Sequence, residues 1–92
     1  MTRIVIKELV WDAYNIEHIK KHSITVDEAE EAVKNFISHK KGKSGRYLAI
    51  GKSSSRLISL IVKRESVGVY YLVTARDSSK KERREIYEKE QV

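Results

Sequence analysis

Residues 46–76 read RYLAIGKSSSRLISLIVKRESVGVYYLVTAR, a stretch in which apolar residues concentrate in three successive segments. Short runs rich in Val, Ile, Leu and Tyr, separated by Gly and Ser, predict β-strands over Arg46–Gly51, Arg56–Arg64 and Val67–Arg76. Because the links Lys52–Ser55 and Glu65–Ser66 are short, the three strands are predicted to run antiparallel as a meander.

The two faces of this predicted sheet differ in composition. Strict alternation in the third strand places Tyr70, Leu72, Thr74 and Arg76 on one face and Val69, Tyr71, Val73 and Ala75 on the other. One face of the sheet is therefore expected to be apolar and to lie beneath the helices. The other mixes aromatic, hydroxyl and basic groups, which suits contact with RNA or a partner chain.

Two helices are predicted before this stretch. Asp12 is a plausible N-cap for a helix that runs to about His22. Thr25 and Glu28 fit a capping box, and apolar residues then recur at three- and four-residue intervals as far as Ile37. The first of these helices follows a predicted opening strand at residues 3–7.

One more helix is predicted after the strands. Ser79 and Glu82 fit another capping box, which opens a final helix to about Glu90, whereas Ser38–Gly45 is interpreted as a link rich in Gly and Lys. The predicted order is β-α-α-β-β-β-α. This is an α+β fold with a small antiparallel sheet and helices packed on one face.

Length and composition narrow the class of protein. With 92 residues there is room for one domain, residues 1–92, with one modest core. The absence of Cys excludes a disulfide framework, a thiolate metal site and a Cys nucleophile. The longest apolar run, Leu57–Val62, is far shorter than a membrane helix needs, and no signal peptide is evident. We therefore expect a soluble cytoplasmic protein with no membrane partner.

Positive charge is concentrated in one region. Residues 38–64 contain eight Lys and Arg residues and no Asp or Glu, and the whole chain has a net charge of +6. A concentrated basic region is typical of proteins that bind a polyanion, so nucleic acid is the first partner to consider.

Motifs at both ends of the chain resemble those of a known family. Val10-Trp11-Asp12, Asn15 and Lys21-His22-Ser23-Ile24-Thr25 resemble the opening "WD…N…KHG(V/I)(S/T)…EEA" of BrnT-family toxins. Val73-Thr74-Ala75-Arg76, Lys80-Lys81-Glu82-Arg83-Arg84 and Tyr87 are similar to that family's ending "(S/T)AR…(R/K)(R/K)ER…Y", and Gly45–Gly51 is similar to its "RxxxxG" strand. Ser23 stands where the family usually has Gly, and Asp77 stands where many members have a second Arg.

The resemblance implies a compact RelE-like α+β toxin of a type II toxin–antitoxin system. Such a toxin is an endoribonuclease that cuts RNA and inhibits translation. The family resemblance also implies a cognate BrnA-like, DNA-binding antitoxin that neutralises the toxin, with promoter DNA bound only through the toxin–antitoxin complex.

Internal cleavage of RNA needs an aligned 2′-hydroxyl, stabilisation of the phosphorane and a protonated leaving oxygen, and it requires neither a metal nor a cofactor. His22 is the first candidate for the general acid or base, although interaction with a helix dipole also explains it. Arg76 is a candidate clamp for the scissile phosphate, and Arg83 could add charge there. Glu82 could orient Arg76 or act as a base, and its capping role explains it equally well.

The remaining candidate residues are proposed to bind RNA. Tyr47 and Tyr70 are candidates for stacking on unpaired bases, or else are ordinary half-buried strand residues. The basic candidates are Lys21, Arg46, Lys80 and Lys81. His18 and His22 are four residues apart but lack a third ligand, so we expect no metal site.

Three functions remain open from the sequence. The first is the metal-independent endoribonuclease toxin. The second is a non-catalytic module that holds nucleic acid, and the third is a protein whose basic surface receives an acidic antitoxin segment.

Overall fold

A computed structural model describes residues 4–90 of the chain. The elements are β1 Glu8–Val10, α1 Ala13–Lys20, α2 Val26–Lys34, β2 Phe36–Lys41, β3 Arg46–Ser53, β4 Arg56–Ser66, β5 Val69–Asp77 and α3 Lys80–Glu90. The strands form one sheet in the order β1-β5-β4-β3-β2. The predicted α+β class and the antiparallel meander of β3, β4 and β5 are both confirmed. None of the helices described combines the length and apolar character needed to cross a membrane.

The sheet is mixed, and its first strand lies later in the chain than predicted. The predicted opening strand began at Arg3, which lies outside the described residues, and residues 4–7 do not form a strand. Instead β1 covers Glu8–Val10 and pairs parallel with β5. The β-branched run at residues 4–6 supplies core instead, because Ile4 is buried and Ile6 packs against the same cluster.

A fifth strand occupies part of the segment interpreted as a link. β2 pairs antiparallel with β3, from Phe36 opposite Gly51 to Lys41 opposite Tyr47. The prediction that α2 continues to Ile37 and that Ser38–Gly45 is a link is therefore wrong in these details. Lys-rich sequence has a weak strand propensity, but an edge strand can carry charged residues, which also discourage pairing with other chains.

Within residues 4–90, each of the three helices begins at the cap that the sequence predicted. Asp12 and Asn15 form a reciprocal capping box for α1, and Thr25 and Glu28 form one for α2. The side chain of Glu82 accepts from the backbone N–H of Ser79 at 2.8 Å, while the Ser79 hydroxyl accepts from the backbone N–H of Glu82 at 3.2 Å. Capping depends on neighbours three residues away, which explains why it can be predicted from sequence.

The helices divide between the two faces of the sheet. α1 and α2 cover the larger core, which includes Ile19 from α1, Ala29 from α2 and Leu60 from β4. α3 covers a smaller cluster on the other face, where Ile86 packs against Ile50 and Leu57. The prediction that the helices pack on one face of the sheet therefore holds for α1 and α2, whereas α3 lies on the opposite face. Ile86 of α3 is fully buried there, and Glu82 of the same helix bonds to Arg76 and Ser59 of the sheet.

A β-bulge in β5 changes which residues share a face. Ile61 pairs with Thr74 but the next residue of β4, Val62, pairs with Leu72, so Val73 is the additional residue. Tyr70 and Leu72 before the bulge, and Ala75 after it, consequently all enter the larger core. The prediction that Tyr70 and Arg76 share a face is wrong, because strict alternation does not continue through a bulge.

Candidate nucleic-acid interface

Part of the sheet surface on the side of α3 remains accessible beside that helix. Residues on this side alternate with the core residues Tyr47, Ala49 and Val62 of β3 and β4. We name this surface the open face; its residues are Lys40, Arg46, Leu48, Ile61, Lys63, Thr74 and Arg76. Cross-strand pairing arranges them in rows, with Arg46 opposite Lys63, Leu48 opposite Ile61, and Arg76 opposite Ser59 at the margin of α3.

Arg76 is held in place by α3. Its Nη1 and Nη2 donate to Oε1 and Oε2 of Glu82 at 2.8 and 3.0 Å, a bidentate pair. The hydroxyl of Ser59 donates to Oε1 of Glu82 at 2.9 Å and also bonds to the buried Ser78 hydroxyl at 2.8 Å. The side chain of Arg76 nevertheless remains 39% exposed. The guanidinium is thus fixed in orientation while part of it faces solvent.

These contacts determine the protonation state of the pair. The hydrogen bond from Arg76, with further bonds from Ser79 and Ser59, outweighs burial and lowers the pKa of Glu82 from 4.5 to about 2. The hydrogen bond to Glu82 raises the pKa of Arg76. A carboxylate with so low a pKa is a poor base near neutral pH, so the contacts favour Glu82 as the residue that orients Arg76.

The Arg76–Glu82 pair should make the fold sensitive to acid. The contribution of the pair to the free energy of unfolding is fully present above about pH 4.5 and is lost as the pH falls through about 2. The reason is that Glu82 is protonated at a higher pH in the unfolded chain than in the folded one. We expect the pair to contribute about 2 kcal/mol to the free energy of unfolding. This is less than the whole pKa shift of Glu82 would give, because solvent screens the half-exposed Arg76. Denaturant unfolding between pH 6 and pH 2.5 should show a shallower decline for Glu82→Gln than for the wild type. Parallel curves would contradict this assignment.

The other cations of the open face differ in their partners. Lys40 forms an exposed ion pair with Glu85 of α3 at 3.3 Å. Within the described part of the chain, no carboxylate lies in salt-bridge contact with Arg46 or Lys63. Neither Lys40 nor Lys63 was among the candidates from the sequence, because only the strand register reveals that they share a face with Arg76. The exposed basic run is the signal that could have identified them.

Two candidate residues of α3 line a neighbouring depression. Lys80 and Arg83, with Arg84 and Tyr87, surround a depression of about 410 Å³ on the outer side of the helix. Residues at positions i, i+3, i+4 and i+7 share a helix face, so this spacing could have identified Arg84 and Tyr87. Lys81 is exposed and does not line this depression.

No contact joins His22 to Arg76 in the described part of the chain. His22 follows α1, which packs on the core side of the sheet, whereas the guanidinium of Arg76 contacts α3 on the other side. The ring of His22 lies 5.6 Å from that of His18, and no third metal-ligating residue of the described chain joins them. Lys21 lines a depression on α1 with Tyr14, and no residue of the open face lines that depression.

The two candidate stacking residues lie on the core side. Tyr70 is only 4% exposed, and the ring of Tyr47 meets it edge-on with 6.2 Å between centroids. Tyr47 is half-buried against the larger core. The ring of Tyr70 therefore offers no free face to a base, and of the two only Tyr47 retains some exposure.

Sequence reasoning missed an ion-pair cluster around Arg56. The guanidinium donates to both carboxylate oxygens of Asp77, to Glu28 at 2.8 Å and to the carbonyl of Ser23 at 3.0 Å. The hydrogen bond from Arg56 lowers the pKa of Asp77. Both departures from the family motifs, Ser23 and Asp77, thus contact one residue. Arg56 ties the loop after α1 to the strand end that carries Arg76, which places His22 at the same end of the sheet.

Comparison with solved structures finds one structure with a similar fold. The matching structure is the crystal structure of the Brucella abortus ribonuclease toxin BrnT, with a TM-score of 0.63 and 21% sequence identity. The alignment covers 79% of this chain and 97% of that chain. The BrnT-like fold expected from the sequence motifs is thereby confirmed. Comparison of the sequence with protein-family models and with curated proteins gives no match.

Proposed function

We propose that this chain is the ribonuclease toxin of a toxin–antitoxin pair and that it binds and cleaves RNA on the open face. The observation that carries the proposal is Arg76, fixed by Glu82 yet half-exposed, at the margin of a surface with two unneutralised cations. The shared fold with a ribonuclease toxin supports the same function.

In the proposed mechanism, the free N–H groups of Arg76 bind the scissile phosphate. Glu82 occupies one side of the guanidinium, so the remaining donors face the phosphate in a fixed direction. The phosphorane carries more negative charge than the ground state, so a preoriented cation stabilises the transition state more than the substrate. Lys80 and Arg83 on α3 would add positive potential, and the reaction would proceed without a metal.

The proton-transfer role predicted for His22 lacks comparable geometric support. Because no contact joins His22 to Arg76 among the described residues, we assign the open face to orientation and charge stabilisation. These effects can supply a large part of the acceleration without an imidazole.

We further propose that a BrnA-like, DNA-binding antitoxin neutralises the toxin in the cytoplasm and links the complex to promoter DNA. An acidic antitoxin segment would complement the open face, on which Arg46 and Lys63 have no acidic partner among the described residues. Growth arrest on induction, accompanied by loss of protein synthesis and relieved by the antitoxin, would support this proposal. Unimpaired growth at high expression would count against it.

A second function is favoured by one specific observation. The absence of a contact between His22 and Arg76 among the described residues, together with the bidentate pairing of Arg76 with Glu82, suits a module that holds nucleic acid without cleaving it. The two functions predict the same binding surface and differ only in whether the RNA remains intact.

Cleavage of single-stranded RNA in EDTA distinguishes these functions. We expect fragments with 2′,3′-cyclic phosphate ends, because attack by the 2′-hydroxyl leaves that group. His22→Ala should retain cleavage if the open face carries the chemistry, and should abolish it if the imidazole is essential. If RNA of many sequences remains intact and protein synthesis is normal in a translation assay, the endoribonuclease is contradicted and the non-catalytic module is supported.

A further inference from the structure

Arg46 and Lys63 form an unfavourable pair within the sheet. They lie directly opposite each other on β3 and β4, and both project onto the open face because their neighbours Tyr47 and Val62 enter the core. Like charges directly opposite each other destabilise a sheet, and no described carboxylate is in salt-bridge contact with either one. An anion placed between the two side chains would relieve the repulsion.

An apolar surface adjoins this pair. Leu48 lies opposite Ile61 in the next row of the open face, and both are half-buried. Together with Lys43, Arg46 and the turn between β2 and β3, they line a depression of about 340 Å³. A flat apolar group could rest on Leu48 and Ile61 while an attached anion reached Arg46 and Lys63.

We propose that this part of the open face is a subsite for one unpaired nucleotide of single-stranded RNA. The base packs on Leu48 and Ile61, and its phosphate is held between Arg46 and Lys63. The inference rests on the proposed function and adds to it the strandedness of the substrate. An unpaired strand is required because a base in a duplex is stacked and cannot enter such a depression.

The position of the subsite relative to Arg76 indicates the path of the bound RNA. Arg76 lies opposite Ser59, and Lys63 is four residues further along β4. At the usual rise per residue these points are roughly 13 Å apart. The nucleotide in the subsite is therefore a neighbour of the cleaved bond rather than part of it, so its loss should weaken binding more than it slows bond breaking.

Fluorescence anisotropy with a labelled 2′-O-methyl RNA strand tests the subsite separately from cleavage, since this probe lacks the attacking hydroxyl. Arg46→Gln and Lys63→Gln should each weaken binding about tenfold, as expected for a charge-assisted contact. Each should also lower the slope of log K against log salt by about 0.7. Lys34→Gln, which removes an equal charge from α2, should bind like the wild type.

Thermal unfolding separates a binding role from a structural one. Removing one of two repelling cations should leave the melting temperature unchanged or raise it, even as RNA affinity falls. A variant that loses stability and affinity together would overturn the subsite. So would binding equal to that of the wild type.

Two further probes test what occupies the subsite. An abasic ribose-phosphate strand of equal length should bind less tightly than the RNA, and polyglutamate of equal charge should compete weakly. Equal binding of all three would mean a general polyanion surface and would overturn the inference, while leaving cleavage at Arg76 open. Failure of the wild type to bind RNA at all would overturn the proposed function as well.

Discussion

Replacing Arg76 by Ala is expected to reduce RNA cleavage by about 10²–10³-fold, the usual cost of removing one preoriented group that stabilises transition-state charge. Binding of an uncleavable RNA should fall only several-fold, because Arg46 and Lys63 remain. The two effects differ because Arg76 is the group that lies beside the phosphorane, where negative charge develops in the transition state. Rates measured at saturating RNA, beside anisotropy on the 2′-O-methyl strand, separate them.

Three variants sharpen the interpretation of Arg76→Ala. Arg76→Lys keeps the charge but loses the planar bidentate geometry, so it should recover binding with little cleavage. Glu82→Gln leaves the guanidinium in place but less firmly oriented, and should lower the cleavage rate with a smaller change in binding. Arg64→Ala removes a cation on the core side of the sheet and should cleave normally. Cleavage by Arg76→Ala within threefold of the wild type would remove this residue from the mechanism.

Replacing Gly51 by Ala is expected to cost about 3 kcal/mol or more, because the added methyl group has no room. A Cβ at this position would lie 1.8 Å from the carbonyl oxygen of Ala32 and 2.6 Å from its carbonyl carbon. Both contacts involve backbone, so no side-chain rotation can relieve them. Either α2 must move away from β3 or the strand must shift.

The measurement is thermal unfolding followed by circular dichroism. A loss of this size should lower the melting temperature by more than about 12 °C for a domain of this length. Gly42→Ala is the matched control, since its Cβ would meet nothing nearer than the Arg46 carbonyl oxygen at 3.4 Å. Similar melting temperatures for the two variants would mean that α2 does not approach β3 as closely as described.

Local signals predicted much of this fold. The N-cap at Asp12 and the capping boxes at Thr25 and Ser79 predicted the start of each described helix, because a cap depends on residues two or three positions apart. The strands β3 to β5 were predicted from their apolar composition. The strand β2 could not be, because a Lys-rich segment becomes a strand only when a partner edge such as β3 is available to it.

Prediction of the site was less complete for a related reason. Arg76 and its partner Glu82 were both identified from the sequence, and the structure joins them. Lys63 and Lys40 were missed because membership of the open face depends on pairing with β3 and β5. Arg56 was missed because its partners Ser23, Glu28 and Asp77 come from three separate elements. Contacts of this kind are set by tertiary packing.

The additional residue Val73 has a consequence for how this chain tolerates change in length. Because Val73 is skipped in the pairing with β4, even-numbered residues of β5 face the core before it and odd-numbered residues face the core after it. Deletion of Val73 would remove the bulge and bring Leu72 and Thr74 next to each other, so Ala75 would stay in the core and Arg76 would stay on the open face. Relatives should therefore vary in length at this bulge as well as at the turns, with the residue that corresponds to Arg76 still facing outward.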